Sequence, residues 1–388
     1  MTHRIVVIGG GFVGTLCARL LAKASLPETE IVLLSQSDHF LFAPLLIEAL
    51  AGEIGETDCC EPLKPWAKRR GVHFIQGRAL CVQRAKKRIQ YQDAVSQLEE
   101  VLSYDQLIFA QGASPTFFNI PGAKEYALPL KTYADVRMLH TRIDNLLEQA
   151  HKEPLSTSTS ELLSFGVVGG GPTGVEAICS IRVYIKNHPR FSALLTHCSF
   201  FIIEGSQDVL NGFPEPLKAA AKRELTKQKI VFHTNEAVTG VTPTEVATVN
   251  RHLSYTILLW TAGVVPNTVP VDPAFDLTSP APFPVLKDTI ELDPHHFVAG
   301  DVVSTEWNGV RIPKNGQIAI QYAFYLANLL IARTRQTTEP SFTPELKGYF
   351  LGLGETGLLF TKGNVLQSRL ISHLRLWIYR YRQWQILR

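Results

Sequence analysis

Arg4-Ile-Val-Val-Ile-Gly-Gly-Gly-Phe-Val-Gly-Thr-Leu-Cys-Ala-Arg-Leu20 decides how the rest of the chain is read. A β-branched run breaks at three glycines and then gives apolar residues at helical spacing, Leu16, Leu20 and Leu21, so the stretch is strand, tight turn, helix. Gly9, Gly11 and Gly14 take the Gly-x-Gly-x-x-Gly positions: the first allows the turn, the second lets backbone approach a pyrophosphate, and the third lets helix sit close on strand. The helix start then offers free amides and a partial positive charge to phosphate. Ser164-Phe-Gly-Val-Val-Gly-Gly-Gly-Pro-Thr-Gly-Val-Glu-Ala177 repeats the pattern, with Gly169, Gly171 and Gly174 at the same spacing. Two such units predict an α/β chain with two Rossmann-like dinucleotide-binding domains, the usual pairing being a flavin at the first and a nicotinamide at the second.

Composition sets the bounds. At 388 residues, with 45% apolar and 19% charged residues, the chain has room for two or three domains of ordinary globular character. A net charge of +3, with no basic cluster in the body of the chain, gives no argument for nucleic acid. No apolar run reaches the length of about 18 residues that would span a bilayer. The first strand starts at once, so no export segment is expected ahead of it. Cysteines 17, 59, 60, 81, 179 and 198 form no Cys-x-x-Cys pair and no zinc-ligand spacing, so they read as reduced thiols in a reducing compartment and no metal site is expected.

Going outward from the first unit, Glu30-Ile-Val-Leu-Leu-Ser is its second strand and ends at Ser35, where an acid normally grips the adenosine ribose. Gln36 or Asp38 just beyond is the alternative partner. His39-Phe-Leu-Phe-Ala-Pro-Leu-Leu-Ile-Glu is too apolar for an exposed loop; it walls an isoalloxazine or is plain core. Lys86 to Tyr104 alternates like a small antiparallel crossover, and Ser103 to Ala113 is a buried strand ending in small residues. A helix is expected from about Tyr133 to Glu153, stopped by Pro154. These features place a flavin-binding first part at 1–153, a linker at 154–163, a nicotinamide-binding domain at 164–285, a return to the flavin domain at 286–340 and a membrane-association region at 341–388.

In the second unit the strand Ser199-Phe-Phe-Ile-Ile ends in Glu204, an acid that favours a free ribose 2′-hydroxyl, hence NADH over NADPH. The long gap back to Gly169 requires Tyr184 to Thr196 to extend the helix or loop out. Asp301, after a buried strand, is placed to bind a ribityl chain, and Lys314 opens a long helix whose dipole would favour negative charge on the flavin. The tail, Asn364 to Arg388, carries five arginines and no acid. Leu366, Leu370, Ile371, Leu374, Trp377, Ile378, Tyr381 and Trp384 recur at helical spacing, which predicts a helix lying on an anionic membrane; docking on the body or at a homodimer interface is the alternative.

With these residues assembled, the chain resembles the type II NADH:quinone oxidoreductases, flavoproteins with two dinucleotide-binding domains. The resemblance runs through Ile8-Gly-Gly-Gly-Phe-Val-Gly, Phe42-Ala-Pro-Leu-Leu, Ala127-Leu-Pro-Leu-Lys-Thr, Val168-Gly-Gly-Gly-Pro-Thr-Gly-Val-Glu, Gly300-Asp301 and Gly316-Gln-Ile-Ala-Ile-Gln. Phe40 to Glu53 and the Arg-rich tail look most like the cyanobacterial and plastid branch, which includes the demethylphylloquinone reductases. The resemblance implies FAD held by Gly9, Gly11, Gly14, Ser35, Pro44, Ala79, Ala110, Gln111, Gly112, Asp301, Gln317 and Ile318. It implies NADH at Gly169, Gly171, Gly174, Glu204, Ala262 and Gly263, a catalytic role for Glu176, and quinone entry near Gln317 and Gln321. Ser35 in place of the ribose acid, and Gln111 in place of the family's threonine, depart from the pattern at the flavin. The implied reaction is hydride from NADH to FAD and two electrons on to a membrane quinone, a naphthoquinone such as demethylphylloquinone or plastoquinone, on a reducing, cytoplasmic or stromal-type membrane face. The rivals are a sulfide:quinone oxidoreductase, which would need a redox cysteine pair, and a non-catalytic nucleotide-binding sensor.

Overall fold

The computed structural model describes residues 2–152, 163–274, 286–287 and 290–388. All but one residue of the expected linker 154–163, and the end of the domain expected at 164–285, lie outside these.

Ile5, Val6 and Val7 have no solvent exposure, because the strand β1 (His3–Ile8) is central and covered on both faces. That explains its unbroken β-branched run, where a half-exposed strand would alternate. Helix α1 (Phe12–Lys23) follows, then β2 (Thr29–Ser35), which pairs parallel to β1. On the outer side of β2 lies β3 (His73–Gln83), and on the other side of β1 lie β4 (Gln106–Phe109) and then a strand returning from far downstream, His296–Val298. All four pairings are parallel. The alternating stretch 86–104 adds Arg88–Asp93 and then Glu99–Ser103 in antiparallel pairing outside β3, as its period predicts, with Glu99–Ser103 at the edge.

The second unit repeats the plan. Strand β5 (Ser164–Val168) leads into helix α2 (Pro172–Lys186), then a 3₁₀ turn at Ser192–His197 fills the long gap before β6 (Ser199–Ile203). Ile257–Trp260 and Ile230–His233 flank this pair, again in parallel, and Leu128–Pro129 closes the outer edge. One apolar core joins both units, running from Leu16 and Leu21 through Val175 and Ile178 to Leu351, Leu353 and Ile386.

Downstream, helix α3 (Gly316–Arg335) packs beside α1. Tyr349–Leu353, Thr356–Thr361 and Asn364–Ser368 form a three-stranded antiparallel sheet, and helix α4 (Arg369–Leu387) ends the chain. Leu366 therefore lies on a strand rather than on the tail helix. Lys362 and Gly363 adopt positive φ, making the tight turn that pairs Asn364–Ser368 with its neighbour.

Candidate functional site

The two glycine turns share one geometry. Gly9 has φ +114°, and a Cβ there would lie 2.3 Å from the Ala110 carbonyl oxygen; a Cβ on Gly14 would lie 1.9 Å from the Gly9 oxygen. Gly169 has φ +109°, and a Cβ on Gly174 would lie 2.0 Å from the Gly169 oxygen. These four are glycine because backbone packs on backbone. Gly11 and Gly171 differ: a Cβ at either meets nothing within 4 Å. Each is the N-cap of its helix without a side-chain cap, so the first-turn amides face open space, the arrangement that receives a pyrophosphate.

Distant segments converge on the first turn. A Cβ on Gly300, beside Asp301, would lie 3.1 Å from Val13, and one on Gly316, where α3 starts, would lie 3.3 Å from the Phe12 ring. Phe12 also packs on Phe40 and Phe42, with centroids at 5.6 and 5.0 Å, which brings the Ala43–Leu45 turn containing Pro44 to the same edge. Ala79 pairs with Tyr91 at the start of a bulge in β3. Ser35 ends β2, buried, with its hydroxyl next to Gly10. The Ile318 amide donates to the Asn315 side chain at 3.0 Å, so Asn315 caps α3 and that amide is satisfied within its own helix.

The turn Ala110-Gln111-Gly112 is clamped from outside by Asn267, whose Nδ2 donates to the Gln111 carbonyl at 3.0 Å and whose amide donates to the Gly112 carbonyl at 2.9 Å. The Gln111 backbone lies against Gly9, and both its side-chain amide oxygen and its nitrogen are buried and unbonded. A buried carboxamide without partners is costly, about 1–3 kcal/mol per unsatisfied group. A polar ligand in this cradle removes that cost, and the open Gly11 turn and uncapped α1 fit a flavin dinucleotide.

In the second unit Glu204 accepts from the Gly170 amide at 2.7 Å and the Ser206 amide at 2.8 Å, which fixes the carboxylate at the end of β6 with lone pairs left for ribose hydroxyls. Thr261 Oγ1 bonds the Val168 and Gly169 carbonyls, both at 3.1 Å, locking the Ala262-Gly263 turn against the glycine loop. These residues fit NADH as the first set fits FAD.

Three expected residues are engaged elsewhere. Glu176 is buried, accepting from the Gly352 amide at 2.7 Å and from Arg375 Nη1 at 2.8 Å. Arg375 Nη2 meets Glu48 Oε1 at 2.6 Å without hydrogen-bond alignment, leaving both Glu48 oxygens without a donor. Two carboxylates thus share one guanidinium in a buried site. Burial pushes Glu176 up to about 7, opposed by Arg375 and the Gly352 amide and aided by Glu48. Burial likewise raises Glu48, against Arg375. Gln317 donates to the Gly348 carbonyl at 2.8 Å, and Gln321 both donates to and accepts from the Glu345 backbone at 2.8 and 2.9 Å. Both amides therefore pin the segment 345–348 across the start of α3.

Sequence reading missed Asn267, Glu48 and Arg375. Glu48 sits in an apolar run and Arg375 among arginines taken as solvent-facing, so only burial distinguishes them.

The description "Pyridine nucleotide-disulphide oxidoreductase" belongs to the family model that matches residues 3–323. The chain is 30% identical to the type II NADH:quinone oxidoreductase Ndh of Mycobacterium tuberculosis, over 85% of this chain and 72% of that one. It is 28% identical to the demethylphylloquinone reductase of Synechocystis, over 98% and 93%. It spans about half the length of the mitochondrial NADH-ubiquinone relatives from yeast and Arabidopsis that it also matches. In fold it is similar to NDH2 of Plasmodium falciparum in complex with NADH, with TM-score 0.86 at 20% identity, over 100% of this chain and 98% of that one.

Proposed function

The chain belongs to the pyridine nucleotide-disulphide oxidoreductase family and, within it, to the type II NADH:quinone oxidoreductases; from that premise we propose that it oxidises NADH and reduces a membrane quinone through FAD. The carrying observation is the pair of open glycine turns, each with the second glycine facing free space at an uncapped helix start. When bound, FAD supplies the two-electron relay between the nicotinamide and the quinone. The protein supplies binding and position. Gly11 and the α1 amides would hold the diphosphate, and Gln111 would satisfy its carboxamide on the cofactor. Asp301 would bind the ribityl hydroxyls, while Glu204 would grip the NADH ribose and repel a 2′-phosphate. Glu176, in the first turns of α2 and with its carboxyl pushed up to about 7 by burial, would hold a proton there, and Gln317 and Gln321, at the start of α3, would border the quinone approach.

The same reading puts the protein on a membrane surface. Leu370, Leu374, Trp377, Tyr381 and Trp384 form an exposed stripe along α4, with Trp377, Tyr381 and Trp384 stacked at 5.9 Å steps. No helix among the described residues is long and apolar enough to cross a membrane. Arginine without any acid between 364 and 388 suits anionic lipid, and a naphthoquinone is the substrate that the similarity to the Synechocystis enzyme favours. Steady-state turnover tests the reading: NADH oxidation driven by a short-chain naphthoquinone should exceed that with NADPH by at least tenfold. Turnover with sulfide in place of NADH would instead support the rival enzyme.

A further inference from the structure

A cavity of about 620 Å³ lies where the C-terminal end of α4 meets the helix Leu63–Arg70. Arg69, Arg70, Arg380 and Arg388 line it together with Trp66 and Trp384. Its acids are already used: Glu61 pairs with Arg69 at 2.7 Å, and Asp58 with Arg380 at 3.2 Å. Among the described residues neither Arg70 nor Arg388 has a carboxylate partner. Arg70 donates one Nη bond to the Leu387 carbonyl at 3.2 Å, which caps the helix end, but its Nε is buried with no acceptor. Neighbouring Arg19 repeats this, with one bond to the Gln385 carbonyl and a buried, unbonded Nε. Guanidinium N–H groups buried beside each other without acceptors are costly unless an anion completes them.

The lining of the cavity shares the exposed Trp384 with the α4 stripe. We propose that this cavity is a headgroup site for a single anionic phospholipid, its phosphodiester bound by Arg70 and Arg388 while the acyl chains leave along the Trp384 edge into the bilayer. The volume is that of a small-ligand site, and arginine forks suit phosphate oxygens. The inference rests on the membrane-surface reading and adds to it a stoichiometric site, where a charged amphipathic face alone gives only diffuse attraction.

The test uses the full flavin-loaded chain. Dihexanoylphosphatidylglycerol, kept below its micelle concentration, is titrated in, with native mass spectrometry and tryptophan fluorescence as readouts. Saturable one-to-one binding is expected, at least tenfold weaker for the phosphatidylcholine analogue. R388Q and R70Q should each weaken it at least tenfold. R382Q, which removes the same charge from α4 outside the cavity, should change it less than twofold. Among the described residues the Arg388 side chain makes no hydrogen bond, so R388Q serves if R70Q folds poorly. Equal losses in R382Q and R388Q would reduce the effect to general charge and overturn the site. Inorganic phosphate competing as well as the lipid would make it a phosphate site instead. Flotation with phosphatidylglycerol vesicles but no monomer binding would sink the pocket and leave the membrane reading standing; monomer binding without flotation would remove the membrane reading and the lipid source together.

Discussion

Single residues divide here into those the fold needs and those a ligand needs, and the two glycine turns separate them cleanly. Gly14 has no room for a methyl group, with the Gly9 oxygen at 1.9 Å from its ideal Cβ, whereas Gly11 faces nothing within 4 Å. G14A should therefore damage folding outright, and G11A should leave the apoprotein's melting temperature near wild type while flavin retention through gel filtration falls. Q111L extends the same assay: it removes two buried unbonded polar atoms, so the apoprotein should hold its stability while FAD binds more weakly. Equal retention in all variants would detach the glycine turn from the cofactor. The glycines were legible in the sequence because their spacing is fixed by backbone geometry. The Gln111 clamp was not, since Asn267 lies 156 residues away and nothing local marks it.

At the scale of elements, α4 shows how far periodicity reads. Its apolar positions were visible, but they do not all face one way. Ile371, Arg375 and Ile386 are buried against the body, while the Trp377 row is exposed. Helical spacing predicts a face, not which face meets protein, and a buried arginine looks like a solvated one until its carboxylate partners are found. The helix is thus docked and still carries an exposed apolar stripe. Deleting the tail after Lys362 would strip Glu48 and Glu176 of Arg375, so loss of membrane binding is better tested with W377S/Y381S, which changes only exposed side chains and, of their hydrogen bonds, loses the one from Gln385 to the Tyr381 hydroxyl. That variant should lose most of its flotation with anionic vesicles and keep its melting temperature; unchanged flotation would refute the stripe. R375M, leaving two buried carboxylates unpaired, should cost about 3–5 kcal/mol in stability. Glu176 adds a pH signature. Its pKa rises from 4.5 to about 7 on folding, so the folded chain holds a proton that the unfolded chain releases. Its contribution to stability therefore falls as pH rises from about 4.5 to about 7 and is level above that. The melting temperature of E176Q should decline less steeply across that window than wild type; an identical slope would assign the titration elsewhere.

For the whole molecule, the decisive fact is that one turn gathers segments from across the chain. The Gly300-Asp301 turn and the start of α3 at Gly316 reach α1 because His296–Val298 completes the first parallel sheet beside β4. The duplication was legible as two motifs, and it fixed the α/β class. The way one core joins both units and the C-terminal sheet was not, since long-range pairing leaves no local period. Nor did the sequence show that Gln317 and Gln321 hold the backbone at 345–348, which depends on a contact spanning 24 to 31 residues. The arrangement makes one central claim, that two dinucleotides and a quinone share a single electron path. The direct measurement is the visible flavin spectrum of the purified chain without oxygen, before and after NADH and again after a short-chain naphthoquinone. Bleaching by NADH and recovery with quinone is the predicted result. A flavin band that ignores NADH, or no flavin band after reconstitution with FAD, would contradict it.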